Sequence, residues 1–119
     1  MDQDSTEHLK LTFVSGVAVF SFTTPYLQSE DDIEKVGNEL FDMVQKWDCK
    51  KVLLTFDGVR FVSSSMLAQV VKLHKTLAKT KGRVRLCGLT PALREVLKAS
   101  QLDRLLEVFD DETAALAKF

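Results

Sequence analysis

Three consecutive serines, Ser63-Ser64-Ser65, are the densest concentration of usable chemistry in the chain. They stand where the strand-like segment Val59-Arg60-Phe61-Val62 hands over to a long apolar-periodic stretch that begins at Met66. A serine at a helix start caps it, because its oxygen accepts a backbone N–H that has no partner inside the helix. One serine suffices for that. The free N–H groups and the helix dipole also favour an anion, so a phosphoserine is electrostatically tolerated there. Ser63 and Ser64, at the expected helix start, are the candidates for capping and support, and a functional hydroxyl among the three serines is the sharper reading.

Other chemistries lack their parts. The G-x-S-x-G elbow of a nucleophilic serine is absent, and no histidine is placed as its base. Neither G-x-x-x-x-G-K-[ST] nor G-x-G-x-x-G occurs, which argues against nucleotide hydrolysis and dinucleotide binding. His8 and His74 have no partner motif, and His74 reads as a partly buried side chain of its helix. Asp57-Gly58 follows a buried-type strand, where α/β sheets place their sites, but it is equally a plain turn. Cys49 and Cys87 have no ligand spacing and read as free thiols of a reducing cytosol. The expectation is no catalytic centre, no metal and no cofactor.

The elements that must position the serines follow from periodicity. Leu9–Phe13 and Val17–Phe22 flank Ser15-Gly16 and read as an antiparallel hairpin. Thr23–Gln28 contains Pro25 and reads as a loop. Ser29 caps a helix over Glu30–Trp47, with acids in its first turn and Ile33, Val36, Leu40, Phe41, Val44 and Trp47 at helical spacing. Lys51–Phe56 is a nearly continuous apolar run, as in a strand buried on both faces. A second helix spans Ser64–Thr80, and Val84–Leu89 is another buried strand. Thr90-Pro91 opens a third helix, Leu105–Phe109 is a last strand, and Asp110-Asp111-Glu112 opens a short terminal helix. Strands alternating with helices from residue 51 onward imply parallel pairing with right-handed crossovers. The fold class is α/β, a mixed, mainly parallel sheet with an N-terminal β-hairpin and about four helices.

A chain of 119 residues fits one domain, 1–119, with residues 1–7 as a flexible tail. Hydrophobic residues at 45% and charged residues at 28% are a globular balance, not a disordered one. The net charge of −1 demands neither nucleic acid nor membrane as partner. No apolar run approaches a membrane span, and the acidic start Met1–Glu7 is unlike a secretory signal, so the expected location is cytoplasmic. Acids crowd Ser29–Asp48 and bases crowd Met66–Lys98. Solvated helix faces explain most of this, and an electrostatic surface for a protein partner is the sharper reading. The basic stretch lacks interleaved aromatics for stacking bases.

Phe61-Val62-Ser63-Ser64-Ser65-Met66-Leu67-Ala68 resembles the F-x-D-S-S-G-L-G segment of the STAS domain family, the anti-sigma factor antagonists and their relatives. Thr90-Pro91-Ala92-Leu93-Arg94-Glu95-Val96-Leu97 resembles that family's S/T-P-x-V/L-x-x-x-L run. The resemblance covers nearly the whole chain from Leu9. It implies a STAS-like fold and a partner-switching role in transcription regulation. In that family an antagonist binds an anti-sigma factor that is also a serine kinase, which frees the sigma factor. Phosphorylation of a serine at the start of the second helix then breaks the complex, and a phosphatase resets it.

By position, Ser65 matches the phosphorylated serine, Ser64 the serine before it and Ser63 the Asp. Tyr26, Leu27, Met66 and Leu67 are the implied partner contacts. Three departures stand out: Ser63 for Asp, Met66 for Gly, and Thr23-Thr24-Pro25-Tyr26 where the family has an acidic loop position. The first two support an alternative, an adaptor subunit of a transport or signalling complex that is never phosphorylated. A carrier of a small apolar ligand beside the second helix has no residue pattern in its favour. A homodimer is left open.

Overall fold

The computed structural model describes residues 3–117 and residue 119. Its first half runs β1 (Gln3–Ser5), β2 (Leu9–Val14), β3 (Val17–Phe22), β4 (Tyr26–Leu27) and α1 (Glu30–Lys46). Its second half runs β5 (Lys51–Thr55), β6 (Phe61–Val62), α2 (Ser64–Ala78), β7 (Arg83–Cys87), α3 (Pro91–Ala99), a 3₁₀ turn (Leu102–Arg104), β8 (Glu107–Phe109) and α4 (Glu112–Leu116). Six strands form one sheet in the order β1-β2-β3-β5-β7-β8. The first two pairings are antiparallel and the remaining three parallel. The mixed, mainly parallel α/β sheet with an N-terminal hairpin is therefore as expected.

The apolar run explains the centre. In β5, Val52, Leu53 and Leu54 are all fully buried, because successive side chains point to opposite faces and both faces are covered. Val52 and Leu54 join Ala18, Phe20, Val84 and Leu86 under α1, α2 and α3. Leu53 joins Val17, Val19 and Cys87 under Ala115 of α4. Arg85 also lies on this second face and is buried. It donates to the carbonyls of Ala115 and Ala117 at 2.9 Å each, and its guanidinium lies 4.8 Å from the Phe109 ring and 4.5 Å from the Phe119 ring. A buried charge is tolerated when it is paired and hydrogen-bonded, and here it fastens the C-terminal segment to the sheet.

On the main face, α1 buries Ile33, Val36, Leu40 and Met43, and α2 buries Met66, Val70, Leu73 and Leu77. Both are i, i+3/i+4 stripes. The helices meet where Gly37 faces Gln69: a Cβ on Gly37 would stand 2.6 Å from the Gln69 side chain.

Two expectations fail locally. Residues 1–7 were expected as a flexible tail, but Gln3–Ser5 form β1, pairing Gln3 with Thr12 and Ser5 with Lys10. Asp4 Oδ2 accepts from Lys46 Nζ at 3.1 Å and Trp47 Nε1 at 3.0 Å, which ties this strand to the end of α1. Backbone pairing and one carboxylate make the strand, with no apolar pattern to announce it. Met1 and Asp2, the start of the expected tail, lie outside the described residues. The loop Thr23–Gln28 also holds a strand, since β4 pairs in parallel with β6.

Boundaries shift by a few residues. α1 stops at Lys46 with Trp47 as its C-cap, and α2 stops at Ala78, not Thr80. β8 begins at Glu107, because the 3₁₀ turn and the residues after it occupy the chain up to there.

Candidate functional site

The small β4–β6 sheet delivers the serines to the helix. The Pro25 carbonyl accepts from Arg60 N–H at 2.7 Å and Phe61 N–H at 3.2 Å, and the Leu27 carbonyl accepts from Ser63 N–H at 2.8 Å. Ser63 is thereby held extended, at φ −77° and ψ 164°, with its Oγ accepting from Met66 N–H at 3.3 Å. Ser63 is the N-cap, with the non-helical backbone that a cap requires. Ser64 is the first helical residue and is exposed, so of the two serines paired for capping and support the cap falls to Ser63. Ser65 follows, half-buried, and donates its hydroxyl hydrogen to Glu30 Oε1 at 2.9 Å. The N-termini of α1 and α2 thus meet side by side, with exposed Glu30 and Asp31 beside the serine turn.

Four residues were expected to contact a partner, and the structure separates them. Tyr26 is 50% exposed, and its register partner Phe61 is 46% exposed. Leu27 and Met66 are corrections: both are fully buried in the core. Alternation along β4 turns Leu27 inward as Tyr26 turns out. Met66 lies at the head of the α2 stripe with Val70 and Leu73. Leu67 is half-buried and lines an open groove of about 450 Å³ with Ser64, Ala68, Val71, Val96, Ser100 and Leu102.

Sequence reasoning missed Phe61 and Glu30 at this site. Phe61 sits in a four-residue stretch whose inward and outward positions cannot be told without its β4 partner. Glu30 reads locally as an acid complementing the α1 dipole, and its contact lies 35 residues away.

A second polar cluster stands apart from the serines. His8, 7% exposed, places Nδ1 at 2.6 Å from Glu39 Oε2, and its backbone N–H donates to Glu39 Oε1 at 3.0 Å. The Thr6 hydroxyl donates to the same carboxylate. His8 Nε2 lies 3.2 Å from Glu7 and 3.7 Å from Asp32. The Glu39 hydrogen bond raises the His8 pKa; burial opposes this, and the Glu39, Glu7 and Asp32 charges add to the rise. Burial pushes Glu39 upward, but hydrogen bonds from Thr6 and His8 outweigh it, and the net direction is down.

His74 is half-buried on α2, and Asp57 is exposed in its turn. Burial pushes the Cys49 thiol up to about 11 and raises Cys87 as well, so neither is an activated thiolate. Among the described residues no group of three His, Cys, Asp or Glu side chains could hold a metal ion. Among them, too, no helix is long and apolar enough to cross a membrane.

The STAS domain family model matches residues 10–115. The chain is 22% identical over 85 residues to the anti-sigma F factor antagonist of Paenibacillus polymyxa, covering 71% of this chain and 73% of that protein. It is 31% identical over 86 residues to BtrV of Bordetella bronchiseptica, a protein named among anti-sigma factor antagonists, covering 72% of this chain and 73% of that protein. A solved STAS domain protein from Planctomyces limnophilus superposes with a TM-score of 0.82 at 26% identity, covering 95% of this chain and 98% of that one.

Proposed function

The chain belongs to the STAS domain family, and from that premise we propose that it is a regulatory protein-binding module of the anti-sigma factor antagonist kind that switches partners by phosphorylation of Ser65. The observation that carries this reading is the surface at the start of α2. Tyr26 and Phe61, exposed and in register, stand next to the Ser63–Ser65 turn, and the apolar groove at Ser64 and Leu67 continues from it. Large exposed aromatic side chains beside a groove are the anchors from which a protein interface is built.

The partner in this reading is an anti-sigma factor with serine kinase activity, docked over the turn. The γ-phosphoryl group of ATP passes to Ser65 Oγ, the hydroxyl proton leaves, and ADP is the other product. The phosphate adds about −1.5 to −2 charge and three acceptor oxygens to a surface that a docked partner has dehydrated. A partner fitted to the neutral hydroxyl must then bury or repel that charge, and it dissociates. The module is not itself an enzyme in this scheme, and it works in the cytoplasm, where sigma factors act. Met66 turns into the core, so the bulk that replaces the family's glycine stays out of a kinase's path.

The test is incubation of the purified chain with ATP and extract of its native cell, followed by mass mapping. Phosphate on Ser65, its loss in Ser65→Ala, and weakened retention of a kinase partner by the phosphorylated chain are the expected results. An unmodified chain recovered with a membrane-transport partner replaces this reading with the adaptor.

A further inference from the structure

The family motif carries a carboxylate directly before its serines, and here that position is Ser63. The fold brings a carboxylate to Ser65 from elsewhere: Glu30 of α1, whose Oε1 accepts from Ser65 Oγ at 2.9 Å. Asp31 and Asp32 follow Glu30 in the same turn, and the first turn of α2 contains no acid. No ion pair among the described residues involves Glu30. The corner between the two helix starts therefore suits a neutral donor. A hydroxyl gives its hydrogen to the carboxylate. A phosphate or an acid at Ser65 offers only acceptor oxygens to that carboxylate, and like charges at contact repel.

We propose that Glu30 is the positioning residue through which the domain itself registers a negative group on Ser65. With the free hydroxyl, Ser65 ties the start of α2 to the start of α1. With a phosphate, the tie becomes a repulsion, and the first turn of α1 loosens. Modification is then read at α1 as well as by a partner lying over Ser65. This inference rests on the proposed role of Ser65, but its physics is testable without a kinase.

The experiment is a double-mutant cycle on the full chain, with Ser65→Asp, Glu30→Gln, Glu30→Lys and the two double variants. Unfolding constants are measured in urea at low and high salt, with amide exchange at Ile33, whose N–H makes the first helical bond of α1 to Ser29 at 2.8 Å. An acid at a helix start is locally favourable, so Ser65→Asp folds. Ser65→Asp is expected to raise the unfolding constant about fivefold more with Glu30 present than in Glu30→Gln, the size of one like-charge contact in water. It should also speed exchange at Ile33. In Glu30→Lys the sign reverses, and Ser65→Asp slows that exchange. Added salt shrinks both effects.

Equal effects of Ser65→Asp in all three backgrounds, with unchanged Ile33 exchange, overturn the proposal. Coupling in the cycle with no phosphate on Ser65 in extract retains the role of Glu30 and removes only the kinase reading. Phosphate on Ser65 without coupling does the opposite.

Discussion

Two carboxylates of α1 each hold polar side chains from outside the helix, and the contrast between them separates a shielded structural cluster from a lightly held corner. Glu39, in the middle of the helix, gathers Thr6 and His8 in a largely buried cluster that fastens the β1–β2 connection to α1. Glu30, at the exposed helix start, holds one hydroxyl of a half-buried serine. The first cluster is multidentate, charge-paired and shielded, so its loss leaves buried donors unmet. The second is a single contact that water can replace. The Glu30 corner is cheap to open, as the modification proposed for Ser65 requires, and the Glu39 cluster is not.

The sharpest way to break this contrast is to remove Glu39. Glu39→Ala deprives the His8 ring, the His8 backbone N–H and the Thr6 hydroxyl of one acceptor, and a loss of about 2–4 kcal/mol in urea unfolding is expected. A loss near that of an ordinary surface substitution would show that water already serves those groups.

The pH dependence of the same cluster comes next. His8 has a folded pKa raised above 6.5, so its contribution is complete below 6.5 and is lost as pH rises through the folded value. Glu39 has a folded pKa lowered below 4.5, so its contribution is present above 4.5 and is lost as pH falls through the folded value. The cluster is strongest between those limits. His8→Gln should flatten the loss of stability above pH 6.5 in melts run at a series of pH values. A wild-type loss that persists unchanged in His8→Gln would assign the pH response to another group.

Smaller effects belong to the serine turn. Ser63→Ala should cost about 1 kcal/mol because Ser63 is the cap, whereas Ser64→Ala should stay within about 0.5 kcal/mol. The reverse order in denaturant melts would move the cap to Ser64. Ser65→Ala or Glu30→Gln alone should likewise have a small effect, less than about 0.5–1 kcal/mol, as one partly exposed hydrogen bond allows. A cost as large as that of Glu39→Ala would make the Ser65 corner a structural joint and erase the contrast.

Much of the frame was legible because its cause is local. The unbroken apolar run at Val52–Leu54 names a central strand, and Ile33, Val36 and Leu40 at helical spacing name a helix with one buried face. Ser29 and Thr90 announce helix starts through chemistry that acts within three residues, and their hydroxyls do accept from Asp32 and Leu93 N–H. The serine turn was legible as a helix start for the same reason. Leu27 and Met66 were misread as surface contacts because closeness to the serines along the chain says nothing about which side of the backbone a side chain takes.

What the sequence determined by itself, then, is whatever depends on neighbours a few residues apart: the strands and helices, their apolar faces, and the placement of three hydroxyls at the start of α2. The tertiary structure decided the rest. It chose Tyr26 and Phe61 as outward neighbours through a two-residue parallel pairing, it gave Ser65 its carboxylate from α1, and it brought Glu39 and Asp32 of α1 to His8. The physical reason is that Ser65 and Glu30, or His8 and Glu39, carry no mutual preference strong enough to act across more than thirty residues of unfolded chain. Burial of the apolar stripes brings α1 against the sheet and α2 against α1, and only that closure sets which polar groups meet.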